Sequence, residues 1–240
     1  MVGPSGDVID VVELATQVEQ GAPHGLDLSG DAVKDPDADA RRLAAEHPED
    51  PTGWFERLYA EAATGDAVVP WDTNTAHPLL QEWADGRDGR GARAIVVGCG
   101  LGDDAEFVSG LGYDTVAFDV SLSAVRGARE RFPASKVYYQ VADLMNPPHE
   151  WLRAFDLVVE IMTVQALPET LHAPAIAAVR ELVAPGGTLL VIASARLEGG
   201  PVAAPPWQLT PSEIRSFAAD GLTEEKVENV HGRWRAVFTN

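Results

Sequence analysis

The feature that most restricts the fold of this chain is a series of strand-like runs, alternating with amphipathic segments, in its second half. The first run, 92–97, is continuously apolar, which is typical of a strand that is covered on both sides. The five runs are 92–97, 115–120, 136–142, 154–161 and 188–194. Their alternation with helix-type segments predicts an α/β fold with a doubly wound, largely parallel sheet.

The segments around these runs carry helix and turn signals. The hydroxyl of Ser121 or Ser123 can cap the helix that follows the second strand. Thr210 and Glu213 have the spacing of a capping box. Two final strands, 225–230 and 233–239, are joined by His231-Gly232 as a hairpin. The pattern predicts helices at 54–63, 78–83, 103–111, 121–131 and 168–183, the last ended by Pro185-Gly186-Gly187.

Acidic and basic residues are distributed unevenly along the chain. Residues 1–50 contain 12 acidic and 3 basic residues, out of 37 and 18 in the whole chain. We interpret 1–50 as an acidic, flexible extension, either a solvated leader or a lid or dimer contact, and 51–240 as a single domain. Whether the protein is a monomer or a homodimer stays open.

The formal net charge of −19 argues against partners that are themselves anionic. Both parts of the chain repel phosphate backbones and anionic lipid, so we expect no nucleic-acid and no membrane partner. No run approaches the length of a membrane span, and no signal peptide is recognisable. With Cys99 as the single cysteine, an intrachain disulfide is excluded, and we expect a cytoplasmic protein.

A glycine-rich turn, Gly98-Cys99-Gly100-Leu101-Gly102, follows the first strand. Alternate glycines allow a sharp turn and close approach of a ligand to the backbone, and the next helix presents free N–H groups. The third glycine of the dinucleotide pattern is missing, because Asp103 stands there. Asp103 would repel a pyrophosphate but could accept from an amino-acid ammonium group.

Acidic residues also end the next two strands. Asp119 can accept both ribose hydroxyls of a nucleoside, or it can cap the following helix. Asp143 can accept from an adenine amino group, or it can be a turn residue, with Leu144 as an apolar neighbour and Val120 beside Asp119. Ligands of doubly wound sheets bind at these strand ends, so the set predicts an adenosine site.

On these residues, 92–195 resembles the class I S-adenosylmethionine-dependent methyltransferases, including the Ala184-Pro185-Gly186-Gly187 segment before the fifth strand. The resemblance implies a Rossmann-like, seven-stranded sheet, mostly parallel with an antiparallel last strand. It also implies S-adenosyl-L-methionine as cofactor, S-adenosyl-L-homocysteine as product, a small-molecule methyl acceptor and no metal. After the fourth strand, Glu160 can accept from the methionine ammonium group or cap the strand, and Val164 can contact the cofactor or pack in the core. Gln165 is a candidate for contact with the acceptor.

A narrower resemblance lies upstream, in Trp54-Phe55-Glu56-Arg57, Tyr59, Gly65, Pro70-Trp71-Asp72 and His77-Pro78-Leu79-Leu80. These segments are similar to the start of the thiopurine S-methyltransferase family, whose relatives include thiol and halide methyltransferases. The resemblance implies a lid at about 54–83, with Trp54 and Trp71 over the cofactor. Thr73-Asn74-Thr75 departs from the family pattern. The Pro-rich loop before the last helix makes Trp207 a candidate wall of the acceptor pocket.

Methyl transfer from a sulfonium requires alignment and a dry pocket more than acid–base groups. Trp71 is suited to hold the positive sulfonium by cation–π contact. Asp72 and His77 are the nearest candidate bases, although His77 can equally be a structural hydrogen-bonder. A thiol needs no strong base, so a sulfur acceptor is favoured. The alternatives are an N- or O-methyltransferase of a heterocycle or specialised metabolite, a non-catalytic cofactor-binding protein, and an NAD(P)-dependent reductase.

Overall fold

A seven-stranded sheet organises the residues that the computed structural model describes, which are 35, 37–46, 49–202 and 205–240. The strand order is β3-β2-β1-β4-β5-β7-β6, with β1 to β5 parallel and β7 antiparallel to both its neighbours. This confirms the predicted α/β class and the antiparallel last strand. The strands are β1 (Arg93–Val97), β2 (Asp114–Asp119), β3 (Tyr138–Val141), β4 (Phe155–Ile161), β5 (Val183–Ser194), β6 (Thr223–Val230) and β7 (Arg233–Thr239).

Helices cover both faces of this sheet. The helices α6 and α7 supply apolar residues to one face, and α3, α4 and α5 to the other. Short 3₁₀ turns occur at His149–Trp151 and Val164–Ala166. The helices are α1 (Ala38–Glu46), α2 (Gly53–Thr64), α3 (Pro78–Trp83), α4 (Asp103–Gly110), α5 (Leu122–Arg131), α6 (Glu169–Glu181) and α7 (Pro211–Arg215).

Side-chain alternation along β1 explains why its run is continuously apolar. Ile95 and Val97 belong to the core under α6 and α7, whereas Ala94 and Val96 belong to the core under α3 to α5. All four are at most 2% exposed. A strand buried on both faces has no position for a polar side chain, which is the pattern that the sequence shows.

Two predicted helix caps are present as hydrogen bonds. The Ser121 hydroxyl accepts from the Ala124 N–H at 3.0 Å and starts α5. Thr210 and Glu213 form the reciprocal capping box of α7. Such caps satisfy N–H groups that have no partner inside the helix.

The compact unit begins at Asp35, earlier than the boundary of 51 expected from composition. Helix α1 packs its buried Ala40 and Leu43 in a cluster with Trp54 and Leu58 of α2. With few large apolar residues, α1 was not distinguishable from an acidic tail in the sequence. Residues 1–34, with the apolar stretch 8–18, lie outside the described residues.

The Pro185-Gly186-Gly187 segment does not separate α6 from the fifth strand as expected. Helix α6 already ends at Glu181, and β5 begins at Val183. The Gly186 N–H donates to the carbonyl of Asn240, and the Asn240 N–H donates to the carbonyl of Gly187, both at 3.0 Å. The chain terminus therefore pairs with these glycines and draws them into the strand.

Within the described residues, no helix combines the length and apolarity needed to span a membrane.

Candidate functional site

A cavity of about 850 Å³ opens at the C-terminal ends of the parallel strands. The strand order reverses between β1 and β4, and a crevice at that point is where doubly wound sheets bind ligands. Most of the residues predicted for the site line this cavity. They are Trp54, Trp71, Asp72, His77, Gly98, Cys99, Gly100, Leu101, Gly102, Asp103, Asp119, Val120, Asp143, Leu144 and Gln165.

The glycine turn forms the floor of the cavity. Its backbone conformation and its close neighbours explain why two of its positions are glycine. Gly98 has a φ of +59°, and a Cβ there would lie 2.3 Å from the hydroxyl oxygen of Thr163. That hydroxyl donates to the carbonyl of Val97 at 2.9 Å and so connects the ends of β1 and β4. Gly100 has a φ of +51°, and a Cβ there would lie 2.7 Å from the Tyr59 hydroxyl oxygen. Any other residue would be strained and would fill the cradle.

Asp119 stands at the end of β2 with both carboxylate oxygens held by the backbone. Oδ2 accepts from the Gly100 N–H at 3.0 Å, and Oδ1 accepts from the Ser121 N–H at 2.9 Å. Burial raises the pKa of Asp119 to about 6, against the opposing effect of these hydrogen bonds. A carboxylate oxygen can accept further bonds in its remaining lone-pair directions, so a fixed acceptor faces the cavity beside the glycine turn.

Asp143 and Leu144 lie next to β3, on the same rim as Val120. The Oδ1 atom of Asp143 accepts from the Met145 N–H at 2.9 Å, which fixes the loop after the strand. Leu144 is buried and Val120 is 39% exposed. This rim offers a carboxylate and apolar surface one strand further from the glycine turn than Asp119, and its contact with an adenine stays a prediction.

Aromatic side chains from α2 and the loop after it cover the glycine turn. Trp71 contacts Trp54 and Tyr59 edge-on, each at a ring-centroid distance of 6.2 Å. Trp54 also stacks on Phe55 at 4.0 Å. The Trp71 Nε1–H donates to the Tyr59 hydroxyl at 2.7 Å, which holds the indole in place. Trp71 remains 39% exposed, so part of it is available to a ligand.

Glu56 anchors α2 to the start of α5. Its carboxylate accepts from the hydroxyls of Ser121 and Ser123, both at 2.7 Å, and from the Ser123 N–H at 3.0 Å. These hydrogen bonds outweigh burial and lower the pKa of Glu56. The carboxylate also meets the positive end of the α5 dipole. The aromatic cover is therefore attached directly beside Asp119.

Arg131 changes the roles predicted for Asp72 and Asp103. Its guanidinium forms two bonds with the Asp72 carboxylate, at 2.8 and 2.9 Å, and one with Asp103 at 2.8 Å. The Arg131 bonds lower the pKa of Asp72, which makes that carboxylate a weak base. Asp103 is likewise already paired with a cation. Asp72 as a base and Asp103 as an acceptor for an ammonium group stay predictions, and Arg131 competes for both carboxylates.

His77 acts as a helix cap in addition to lining the cavity. Its Nδ1 atom accepts from the Leu79 N–H at 3.1 Å and starts α3. Burial, together with the positive charge of Arg233, lowers the pKa of His77 to about 4. The ring is neutral near pH 7, and its Nδ1 lone pair is already used, which favours the structural alternative over a base.

Three predicted site residues do not line the cavity. Glu160 is fully buried beneath the turn after β4, where its Oε1 accepts from the Thr163 and Val164 N–H groups at 2.8 and 3.0 Å. Val164 is fully buried as well.

Trp207 donates its backbone N–H to the Gln165 carbonyl at 2.6 Å, while its neighbours Pro205, Pro206 and Gln208 reach the cavity. Whether each of these side chains faces the cavity depends on the local turn and not on the spacing in the sequence.

The sequence missed several lining residues, among them Tyr59, Thr163, Ser194 and Arg233. Tyr59 stands five residues after Trp54, and its helical position next to the lid motif was a usable signal. Ser194 and Arg233 meet only because β5 and β7 pair antiparallel, with these two residues in register. No local pattern carries that information.

Comparison with known proteins agrees with this geometry. Residues 94–187, from β1 into β5, match the family model described as "Methyltransferase domain". The match spans the glycine turn, Asp119 and Asp143.

Curated relatives and solved structures are similar to the chain over larger parts of its length. Thiocyanate methyltransferase 1 of Brassica oleracea is 26% identical over 129 residues, which are 53% of this chain and 57% of that protein. The chain spans about three fifths of the length of the curated relatives it matches.

Two solved structures share the fold. The N-methyltransferase NodS from Bradyrhizobium japonicum, solved with S-adenosyl-L-homocysteine, has a TM-score of 0.59 and 21% identity, covering 80% of this chain and 99% of that one. The structure entitled "Conversion of a Disulfide Bond into a Thioacetal Group during Echinomycin Biosynthesis" has a TM-score of 0.62 and 20% identity, covering 78% and 93%. The described residues therefore share their doubly wound α/β fold with both structures.

The cavity fits S-adenosylmethionine, the methyl donor of methyltransferases with this fold. The cradle above Gly98 and Gly100 would be filled by a Cβ, Asp119 presents a fixed carboxylate, and an aromatic group lies over the turn. Its volume of about 850 Å³ leaves room for an acceptor as well. Among the described residues, no group of three or more His, Cys, Asp or Glu side chains is arranged to hold a metal ion.

Proposed function

We propose that this protein transfers the methyl group of S-adenosylmethionine to a small-molecule acceptor, with sulfur as the attacking atom. One observation carries the proposal: the glycine turn, the Asp119 carboxylate and the Trp71 indole face a single cavity, and the first two lie in the segment that matches the methyltransferase model. The cofactor supplies an electrophilic methyl group on a sulfonium. The chain's own residues bind it, orient it and exclude water.

Each group has a distinct role in this proposal. Asp119 accepts from the ribose hydroxyls, and the Asp143 and Leu144 rim receives the adenine. Trp71, held by Tyr59, lies over the methionine end, where its face stabilises positive charge. The acceptor enters from the side of Gln165, so that its nucleophile is aligned with the methyl group and with the sulfur that leaves.

The preference for sulfur rests on the side chains and on the relatives. A thiol ionises near neutral pH, so it needs no strong protein base. The two residues expected as bases are poorly suited, since Asp72 is paired with Arg131 and the pKa of His77 is about 4. Relatives from Brassica oleracea and Arabidopsis thaliana are thiocyanate methyltransferases by name, which also supports a sulfur acceptor and the thiopurine S-methyltransferase-like assignment.

N- or O-methylation of a heterocyclic metabolite is the second candidate. It is favoured by Asp104, which lines the cavity and whose pKa burial raises to about 6. A carboxylate with that pKa can accept a proton from an acceptor near neutral pH. Its Oδ1 atom already accepts from the His77 N–H at 2.7 Å, which limits the reach of this carboxylate.

A panel of acceptors decides between the candidates. Thiols, thiocyanate, halide, phenols and heterocyclic amines are each incubated with S-adenosylmethionine, and S-adenosylhomocysteine release is measured. We expect thiols or thiocyanate to give the highest kcat/KM. Turnover confined to phenols or amines would refute sulfur as the acceptor atom, and an Asp104→Asn variant would then show whether that carboxylate is the base.

A further inference from the structure

Arg233 lies on the acceptor side of the cavity, and it has no carboxylate partner among the described residues. It starts β7, stands in register with Ser194 at the end of β5, and lines the cavity half-buried. None of the carboxylates that the structure describes pairs with it, although the chain carries a net charge of −19. Arg131 and Arg235, by contrast, each bind two carboxylates. A guanidinium that pairs with no described carboxylate, at the wall of a cavity in so acidic a chain, is suited to meet an anion there.

The hydrogen bonds around Arg233 leave donors for a ligand. The Arg233 guanidinium donates to the Ser194 hydroxyl oxygen, and the Gln165 side-chain NH₂ donates to the same oxygen at 3.4 Å. The Gln165 side-chain oxygen accepts from the Ser194 N–H, which fixes the orientation of the amide. Because both neighbours of the Ser194 oxygen donate to it, the Ser194 proton is free to donate to a third group.

The position of this cluster separates it from the cofactor groups. The glycine turn, Asp119 and Asp143 follow β1, β2 and β3, on one side of the reversal in strand order. Arg233 and Ser194 belong to β7 and β5, on the other side. The Arg233 Nη1 atom also lies 3.9 Å from the sulfur of Met162, just after β4. A ligand between the two sides would have one end at the methyl group and the other at Arg233.

We propose that the methyl acceptor is a thiol that also carries a carboxylate, and that Arg233 and Ser194 bind this carboxylate. A guanidinium forms two parallel hydrogen bonds with a carboxylate, and the serine hydroxyl adds a third. The thiol sulfur is then directed toward the glycine turn. This inference rests on the proposed function, since it names the acceptor class of the same site.

The direct test measures binding without turnover. The protein is saturated with S-adenosylhomocysteine, and titration calorimetry compares 3-mercaptopropionate with 3-mercaptopropionamide, which differ in the carboxylate alone. We expect the acid to bind about 10- to 100-fold more tightly, as for a hydrogen bond to a charged group. Equal affinities, or binding of neither compound, would overturn the inference.

Variants then assign the preference to the cluster. Arg233→Met is expected to abolish the ratio between acid and amide, and Arg233→Lys to restore part of it, because lysine keeps the charge but loses the planar fork. Arg235→Met is the matched control on the same strand, since Arg235 binds Glu82 and Glu228 instead of lining the cavity. Loss of the ratio in Arg235→Met to the same extent would overturn the role of Arg233.

Kinetics separates this inference from the proposed function. In the native protein, kcat/KM is expected to favour the acid over the amide, and Arg233→Met is expected to lower that ratio mainly through KM. If the acid binds selectively but neither thiol is methylated, sulfur methylation fails while the carboxylate site stands. If both thiols are methylated with equal kcat/KM, the carboxylate site fails while sulfur methylation stands.

Discussion

At the scale of single residues, the proposed cofactor site depends most on Asp119. Asp119→Asn is expected to weaken S-adenosylhomocysteine binding by about 1–3 kcal/mol, because a charged acceptor of hydroxyl bonds is lost. Asp114→Asn, at the exposed start of the same strand, is the matched control and should leave affinity unchanged. Titration calorimetry measures both. Equal affinities in Asp119→Asn and the native protein would remove Asp119 from the site.

The pKa of Asp119 adds a pH dependence to the same measurement. With a value of about 6, the carboxylate gains a proton as the pH falls through 6 and loses acceptor capacity. We expect S-adenosylhomocysteine affinity to fall below pH 6 in the native protein and to fall less in Asp119→Asn. Identical pH profiles for the two proteins would contradict this role.

Trp71 makes a prediction that depends on the cofactor's charge. S-adenosylmethionine has a positive sulfonium and S-adenosylhomocysteine a neutral sulfur, so a cation–π contact favours the former by about 0.5–2 kcal/mol. Trp71→Ala should weaken S-adenosylmethionine binding more than S-adenosylhomocysteine binding, and Trp71→Phe should preserve most of the difference. A parallel loss for both ligands in Trp71→Ala would show that the indole acts through packing alone.

Glu160 is a buried acid, and its protonation is expected to change the free energy of unfolding with pH. Burial raises its pKa from 4.5 to about 7, so between these values the folded state binds more protons than the unfolded state. Its contribution to the free energy of unfolding is therefore greatest at low pH and is lost as the pH rises through 7, by about 3 kcal/mol in all. Relative to the native protein, Glu160→Gln should gain stability between pH 5 and pH 8 in urea unfolding. A constant difference between the two proteins would contradict a protonated Glu160.

At the scale of elements, Arg131 joins three parts of the site. It stands at the end of α5 and binds Asp72 in the lid loop and Asp103 at the start of α4. Arg131→Gln leaves two neighbouring carboxylates without their cation, so we expect a loss of about 1–3 kcal/mol of stability and weaker S-adenosylhomocysteine binding.

Arg126→Gln is the control for this element, because Arg126 lies on the same helix in an exposed pair with Glu130. Exposed pairs contribute about 0–1 kcal/mol. Urea unfolding and calorimetry compare the two variants. Equal losses in Arg126→Gln and Arg131→Gln would show that Arg131 has no special role in fixing the lid.

The elements that the sequence predicted best are those fixed by local pattern. The central strands are buried on both faces and therefore read as apolar runs, and Ser121 and Thr210 cap their helices through neighbours within three residues. The features that the sequence did not predict depend on contacts between residues far apart in the chain. Gly186 and Gly187 joined β5 through the chain terminus, and the Arg131–Asp72 contact joins residues 59 positions apart.

At the scale of the whole molecule, the sheet topology determines which residues share the cavity. The residues proposed to bind the cofactor follow β1 to β3, and they could be picked out from the sequence because each follows its own strand directly. The acceptor side needs the antiparallel pairing of β5 with β7, so Ser194 and Arg233 were found only in the structure. This difference explains why the sequence indicated the proposed cofactor side of the cavity and not the proposed acceptor side.

The central claim is that this cavity binds S-adenosylmethionine, and titration calorimetry of the native protein with S-adenosylhomocysteine tests it most directly. We expect one saturable site per chain, competed by S-adenosylmethionine and weakened by Asp119→Asn. A folded protein that takes up neither compound would contradict the account.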